Sequence, residues 1–152
     1  MQPQIVSKPA FTVVGMQIRT TPMNPEIPQL WDRFAPRIDE VAGIAEPHVS
    51  YGLMGHYDEK MGFDYMAGVA AQQTDNLPAG MTTWEVPAYT YAVFEATLPT
   101  LGEVFGHIYN SWLADSDYRA STDVNFEQYG ENFNPHDPNS KMSVYIPVEK
   151  KA

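Results

Sequence analysis

A carboxylate set among tyrosines is the pattern in this chain with the clearest chemical use. Phe126-Glu127-Gln128-Tyr129 reads as a short strand, and Met142-Ser143-Val144-Tyr145-Ile146-Pro147-Val148 as the strand after it. Successive side chains of a strand point to opposite faces. With the aliphatic set Met142, Val144, Ile146 and Val148 placed against helices, and Val124 and Phe126 placed in the same core, Glu127, Tyr129 and Tyr145 fall together on the other face. An internal repeat, described below, adds Met54 and Met66 to that face. Tyr109 and Trp112 lie near the end of a helix, within reach of its edge. Methionine adapts to many shapes, and tyrosine offers a π face with a polar tip. A carboxylate among such groups suits a bulky lipophilic cation. Tyr129 and Tyr145 equally suit a half-buried sheet surface.

Other chemistry has little support. His48, His56, His107 and His136 are scattered and form no spaced metal motif. There is no G-x-S-x-G, P-loop or dinucleotide fingerprint. Neither a metal nor a cofactor is expected.

The elements that must position these residues are written twice. Pro9-Ala10-Phe11-Thr12 opens one apolar run and Pro87-Ala88-Tyr89-Thr90 another. Leu30, Trp31, Phe34 and Ile38 recur 74 residues later as Val104, Phe105, Ile108 and Trp112, and Val49, Tyr51 and Gly55 recur 75 residues later as Val124, Phe126 and Gly130. The second offset equates Gly52 and Met54 with Glu127 and Tyr129. Aligning Gly68-Val69 with Pro147-Val148 equates Met66 with Tyr145. Three segments with nearly one offset suggest two copies of one supersecondary unit, with a cleft between them.

Each copy reads β-α-β-β. The first has a strand at Phe11–Arg19, a turn at Thr21-Pro22-Met23-Asn24-Pro25, and a helix from Pro28 that kinks or ends at Pro36 or resumes to Val41. Strands Val49–Tyr57 and Phe63–Gln72 follow, joined by a hairpin loop at 58–62. The second copy begins with strands Thr82–Val86 and Tyr89–Thr97, broken at Pro87. Thr100-Leu101-Gly102-Glu103 has the form of a capping box, and Leu101, Val104, Phe105, Ile108 and Trp112 make the buried stripe of its helix. Strands Asn125–Gly130 and Met142–Val148 close the chain. The expected fold is α+β: a mostly antiparallel sheet with helices on one face. Residues 1–152 form one domain, with repeat 1 at about 9–72 and repeat 2 at about 81–150.

Bulk properties limit the partners. The 152 residues are 43% hydrophobic and 12% aromatic, as in a folded protein with a real core. Nineteen acidic against nine basic residues give a formal charge of −10, which repels nucleic acid and anionic membranes and attracts cations. No cysteine is present, so there is no disulfide framework. No apolar run reaches membrane-spanning length and no secretory signal opens the chain, which fits a cytoplasmic protein.

Several stretches resemble a known family. These are Phe63-Asp64-Tyr65-Met66-Ala67-Gly68-Val69, Leu77-Pro78-Ala79-Gly80-Met81, Trp84 through Glu95, Ile108-Tyr109-Asn110-Ser111-Trp112-Leu113, Phe126-Glu127-Gln128-Tyr129 and Val144-Tyr145-Ile146-Pro147-Val148. Together they resemble the GyrI-like domain, also called the bacterial transcription activator effector-binding domain. The resemblance implies a duplicated, SHS2-like β-α-β-β fold with a drug-sensing cleft between the halves. It implies that Glu127 is the buried glutamate that engages cationic drugs and Tyr145 a cleft tyrosine. No helix-turn-helix fits before Phe11, so the chain is similar to the stand-alone type, including integron-cassette proteins that bind cationic drugs. It would act as a sensor, a sequestering protein or a module working through a partner transcription protein. An alternative implied by the same family is hydrolysis of electrophilic natural products. Glu127 would then activate water, and Tyr145 or Tyr109 would protonate the leaving oxygen. A third is inhibition of a gyrase-like target by an acidic surface.

Overall fold

The computed structural model describes residues 2–22 and 24–152; Met1 and Met23, the latter inside the turn expected at 21–25, lie outside the described residues. Each Pro-Ala step of the repeat separates two strands, because proline cannot donate to a ladder. Strand β1 (Gln4–Lys8) precedes Pro9-Ala10, and β2 (Phe11–Thr20) follows. Strand β1 lies ahead of the expected first strand at Phe11 and carries little pattern of its own, with only Ile5 and Val6 apolar in its interior. Helix α1 (Glu26–Phe34) gives way to a 3-10 helix, Ala35–Glu40, where Pro36 removes an α-helical donor. Strands β3 (Ser50–Gly55) and β4 (Phe63–Ala70) complete the first half.

Strands β5 (Thr82–Val86) and β6 (Tyr89–Thr97) flank Pro87-Ala88 as expected. Helix α2 (Leu101–His107) runs into a π-helical turn, Ile108–Trp112, and one last α turn, Leu113–Asp115. The expected capping box does not form. Thr100 occupies the N-cap, but its hydroxyl is engaged by Thr97, accepting from that residue's backbone N–H at 3.0 Å and pairing with its Oγ1 at 2.8 Å. A short strand β7 (Tyr118–Ala120), also unanticipated, precedes β8 (Asn125–Tyr129) and β9 (Lys141–Lys150).

The strands join in the order β1-β6-β9-β8-β3-β4-β2-β5, with β7 paired to β9 alongside, and every pairing is antiparallel. With the helices this is the α+β architecture expected. The strand order is the same within each half: β2-β4-β3 in the first and β6-β9-β8 in the second, meeting at the β3–β8 pair. The leading strands cross over, β1 joining β6 of the second half and β5 joining β2 of the first.

This crossing forces the sheet to curl. Strands β1 and β2 stand six spacings apart, roughly 29 Å in a flat sheet, yet the step from Lys8 to Phe11 reaches at most about 11 Å. The curl brings Phe11 of β2 within 5.6 Å of Phe126 on β8, ring centroid to centroid, and Lys8 Nζ to 4.4 Å from the Phe11 ring. Gly15 is needed for the close approach of β2 to β4, since a Cβ there would strike the Ala67 carbonyl and lie 2.6 Å from Gly68 Cα.

Both sheet faces are therefore buried. On the helix side, α1 covers Val14, Tyr65, Ala67 and Val69, while α2 covers Ala92, Phe94, Val144 and Ile146. The concave side packs Val13, Tyr51, Leu53, Met66, Tyr91 and Phe126. The aliphatic set of β9 meets the helices as expected. Ile108 is fully buried, but Phe105 is only half-buried, bridging the two helix-side clusters.

Candidate ligand-binding site

The seam between the helix-side clusters lies over the central strands β3 and β8, and Glu127 sits there. Register settles which residues accompany it. Glu127 stands opposite Val144 on β9 and Gly52 on β3, and Gly52 stands opposite Ala67 on β4. All four belong to the helix face. Phe126 stands opposite Tyr145, and the two rings stack at 4.6 Å on the concave face.

Three expected members of the site are thereby corrected. Tyr145 is across the sheet from Glu127, and its hydroxyl donates to Gln128 Oε1 at 3.3 Å. Met66, opposite Leu53, lies on the concave face with it. Trp112 packs edge-on against Phe94 and stacks on Tyr118, inside the cluster under α2. The parity assumption failed because Phe126 is core, but core of the other face. Met54 and Tyr129 do share the face of Glu127.

Two tyrosines hold the carboxylate. Glu127 is 5% exposed, and its Oε1 accepts from the Tyr129 hydroxyl at 2.6 Å and the Tyr65 hydroxyl at 3.1 Å. Trp31 Nε1 of α1 donates to the Tyr65 oxygen at 2.9 Å, and the Trp31 ring meets Tyr129 edge-on at 5.5 Å. Phe133 packs on the far side of Tyr129 at 4.7 Å. Gly52 makes the arrangement sterically feasible: a Cβ there would strike the Tyr65 hydroxyl and lie 2.8 Å from Glu127 Oε1.

Burial pushes the Glu127 carboxyl above its ordinary value of 4.5, opposed by the hydrogen bonds from Tyr129 and Tyr65. Burial, then the Glu127 charge, drives the Tyr65 and Tyr129 phenols well above their ordinary range, so both remain donors. No Lys, Arg or His pairs with Glu127 among the described residues.

Asn125 continues the site two residues earlier on the same face, opposite Met54. Its Nδ2 donates to the Tyr57 hydroxyl at 3.2 Å and the Asp123 carbonyl at 3.2 Å. Tyr57 and Tyr109 are 44% and 47% exposed, at the solvent end of this group. Partial desolvation, then Tyr57 and Asp123, raise the Tyr109 phenol to about 12. Two surface hollows lie elsewhere: one of about 370 Å³ lined by Ile18, Glu26, Gln29, Asp32 and Arg33, the other of about 330 Å³ beside Arg19 and Asp58. Neither touches Glu127. Among the described residues, no group of three or more His, Asp or Glu could hold a metal ion, and no helix is long and apolar enough to cross a membrane.

Trp31, Tyr65, Asn125 and Tyr57 are not among the candidates that sequence pattern picks out. Trp31 was absorbed into the helix stripe, although an indole N–H in a packed stripe needs an acceptor. The offset that equates Gly52 with Glu127 could have led to Tyr65, whose hydroxyl occupies the space the glycine leaves.

The chain thus combines a curled, antiparallel α+β sheet with a carboxylate in an aromatic seam. The chain belongs to the family of Cass2, the integron-associated effector binding protein, whose sequence profile matches residues 4–148. It is 41% identical over 151 residues to the transcriptional regulator BrlR of Pseudomonas aeruginosa, covering 97% of this chain and 56% of that protein, so it spans little more than half of the regulator's length. Its fold is similar to that of an integron cassette protein from Vibrio cholerae, with a TM-score of 0.69 at 20% identity over 97% of this chain and 96% of the other. It is similar also to SAV2435 solved bound to tetraphenylphosphonium, with a TM-score of 0.71 at 17% identity over 98% and 94%. The GyrI-like resemblance holds, and the chain is a member of a family of effector-binding proteins.

Proposed function

We propose that the ligand is a hydrophobic cation whose charge faces Glu127 and whose apolar body takes the place of aromatic side chains now closed over it. The observation that carries this reading is a buried carboxylate with no basic partner among the described residues. Burying an uncompensated charge is costly, and among the described residues two phenols are what satisfies this one. A ligand cation supplies the missing charge, and Trp31, Tyr65 and Tyr129 supply π faces around it. The −10 formal charge concentrates cations near the protein. The fold relative bound to tetraphenylphosphonium supports the same ligand class. Likeness to a transcriptional regulator supports a role in which ligand occupancy is passed to a partner transcription protein.

The hydrolytic alternative loses Tyr145, which cannot reach a substrate at Glu127 through the sheet, and keeps Tyr109 at the solvent end of the group as its proton donor. Calorimetric titration of tetraphenylphosphonium and neutral triphenylphosphine oxide against wild type and Glu127→Gln tests the proposal. Removing the charge partner should weaken the cation by roughly 10-fold to several-thousand-fold and leave the neutral compound nearly unchanged. Equal losses for both would assign Glu127 to shaping the site rather than reading charge.

A further inference from the structure

Asn125 has one amide atom whose role the fold does not explain. It is 2% exposed, and its Oδ1 is buried with no donor among the described residues. The orientation of the amide is fixed by its neighbours. The Asp123 carbonyl can only accept, so the atom facing it is the NH2, and the oxygen is the orphan. A buried acceptor left unpaired is unfavourable unless something else supplies a proton. This oxygen belongs to a side chain on the face that carries Glu127, and the two residues stand about 7 Å apart along the strand.

We propose that Asn125 is the second recognition point of the cleft, and that the preferred ligands are aromatic cations carrying an N–H or O–H donor about 7 Å from the charge. The proposal rests on the reading of Glu127 as the charge-reading residue. It deepens that reading, because charge and aromatic area alone would accept any lipophilic cation. The half-exposed Tyr57 and Tyr109 mark the solvent end, so a ligand entering past them places its donor near Asn125 as its charge meets Glu127. The bond is a neutral one, and it selects among cations rather than capturing them.

The test uses two probes of equal charge and similar size, (4-aminophenyl)triphenylphosphonium and (4-methylphenyl)triphenylphosphonium, titrated by calorimetry. The amino probe should bind wild type about 3- to 10-fold more tightly than the methyl probe. Asn125→Leu should abolish that ratio, while Asn125→Asp, which keeps an acceptor oxygen, should retain it. The ratio is insensitive to the added charge because both probes carry the same one. Equal binding of the two probes to wild type overturns the proposal, and needs no variant to fold. If Glu127→Gln still weakens both probes in that case, the cleft reading stands and only the role of Asn125 falls. If Glu127→Gln leaves both affinities unchanged, the cleft reading fails and the proposal fails with it.

Discussion

Gly52 and Glu127 face each other across the β3–β8 pair, where the two halves of the sheet meet, and the missing side chain of one makes room for the carboxylate of the other. The same gap admits the Tyr65 hydroxyl. Three residues from three strands thus share one space that a single methyl group would fill.

Gly52→Ala is therefore expected to displace the Tyr65 hydroxyl and Glu127 together. Overpacking of this kind costs about 1–3 kcal/mol. The loss should be visible in urea melts, and cation affinity should fall with it. Unchanged stability and affinity would mean that the seam is looser than its geometry implies.

Glu127 gives a signed pH dependence. Its carboxyl is raised by burial, so the fold favours the protonated form. The stability this group contributes is complete below the ordinary carboxylate pKa and is lost as pH rises through the raised folded value. Glu127→Gln should therefore raise Tm at pH 7 relative to wild type, by roughly 2–4 °C for each 1 kcal/mol of relieved cost, and give little difference below about pH 4. Cation binding should run the opposite way in wild type, weakening as pH falls through the same value. Melting curves and titrations at pH 4 and pH 7 check both signs.

The two sheet faces separate Tyr129 from Tyr145. Tyr129→Phe removes a 2.6 Å hydrogen bond to the carboxylate and should change cation affinity about 10- to 150-fold, in keeping with a bond to a charged group. Tyr145→Phe should leave affinity within about twofold and cost at most about 1 kcal/mol of stability, since its bond to Gln128 is long. A larger binding effect from Tyr145 would return it to the site.

The helix stripe divides unequally. Ile108→Ala should cost about 2–5 kcal/mol through transfer and cavity terms, because the residue is fully buried. Phe105 is half-buried between the two clusters, so Phe105→Ala should cost less and alter ligand affinity more. Denaturant melts paired with titrations separate the two residues.

Much of the framework was legible because local chemistry dictates it. Pro36 had to kink or end an α-helix, and Pro87 had to divide β5 from β6. The helix-facing set of β9 followed from strict alternation. The face of Glu127 did not follow, because alternation assigns a polar side only when one face is wet. Here the curl buries the concave face as well, so Phe126 and Val144 are both core while pointing in opposite directions. Residue type and the family pattern single out Glu127 as a candidate, independently of its face. Its partners Tyr65 and Trp31 come from a strand and a helix far away in sequence, and only the register brings them to it. The strands β1 and β7 were missed because both are short and weakly apolar, and pairing with distant strands holds them.

The crossing of the leading strands also shapes how the chain acquires its fold. Every residue of β1 pairs with a β6 residue 81 to 89 positions later, from Lys8 with Tyr89 to Gln4 with Val93. Contacts so distant in sequence form slowly, since the intervening loop must close before they return any energy. During synthesis from the N-terminus, β2, β3 and β4 can pair as soon as they emerge, but β1 has no partner until β6 is made. The Phe11 and Tyr51 side chains of the concave face wait with it. The first half alone would expose that apolar surface and an unpaired β3 edge, so the nascent chain is most prone to aggregate while β6 through β9 are still missing.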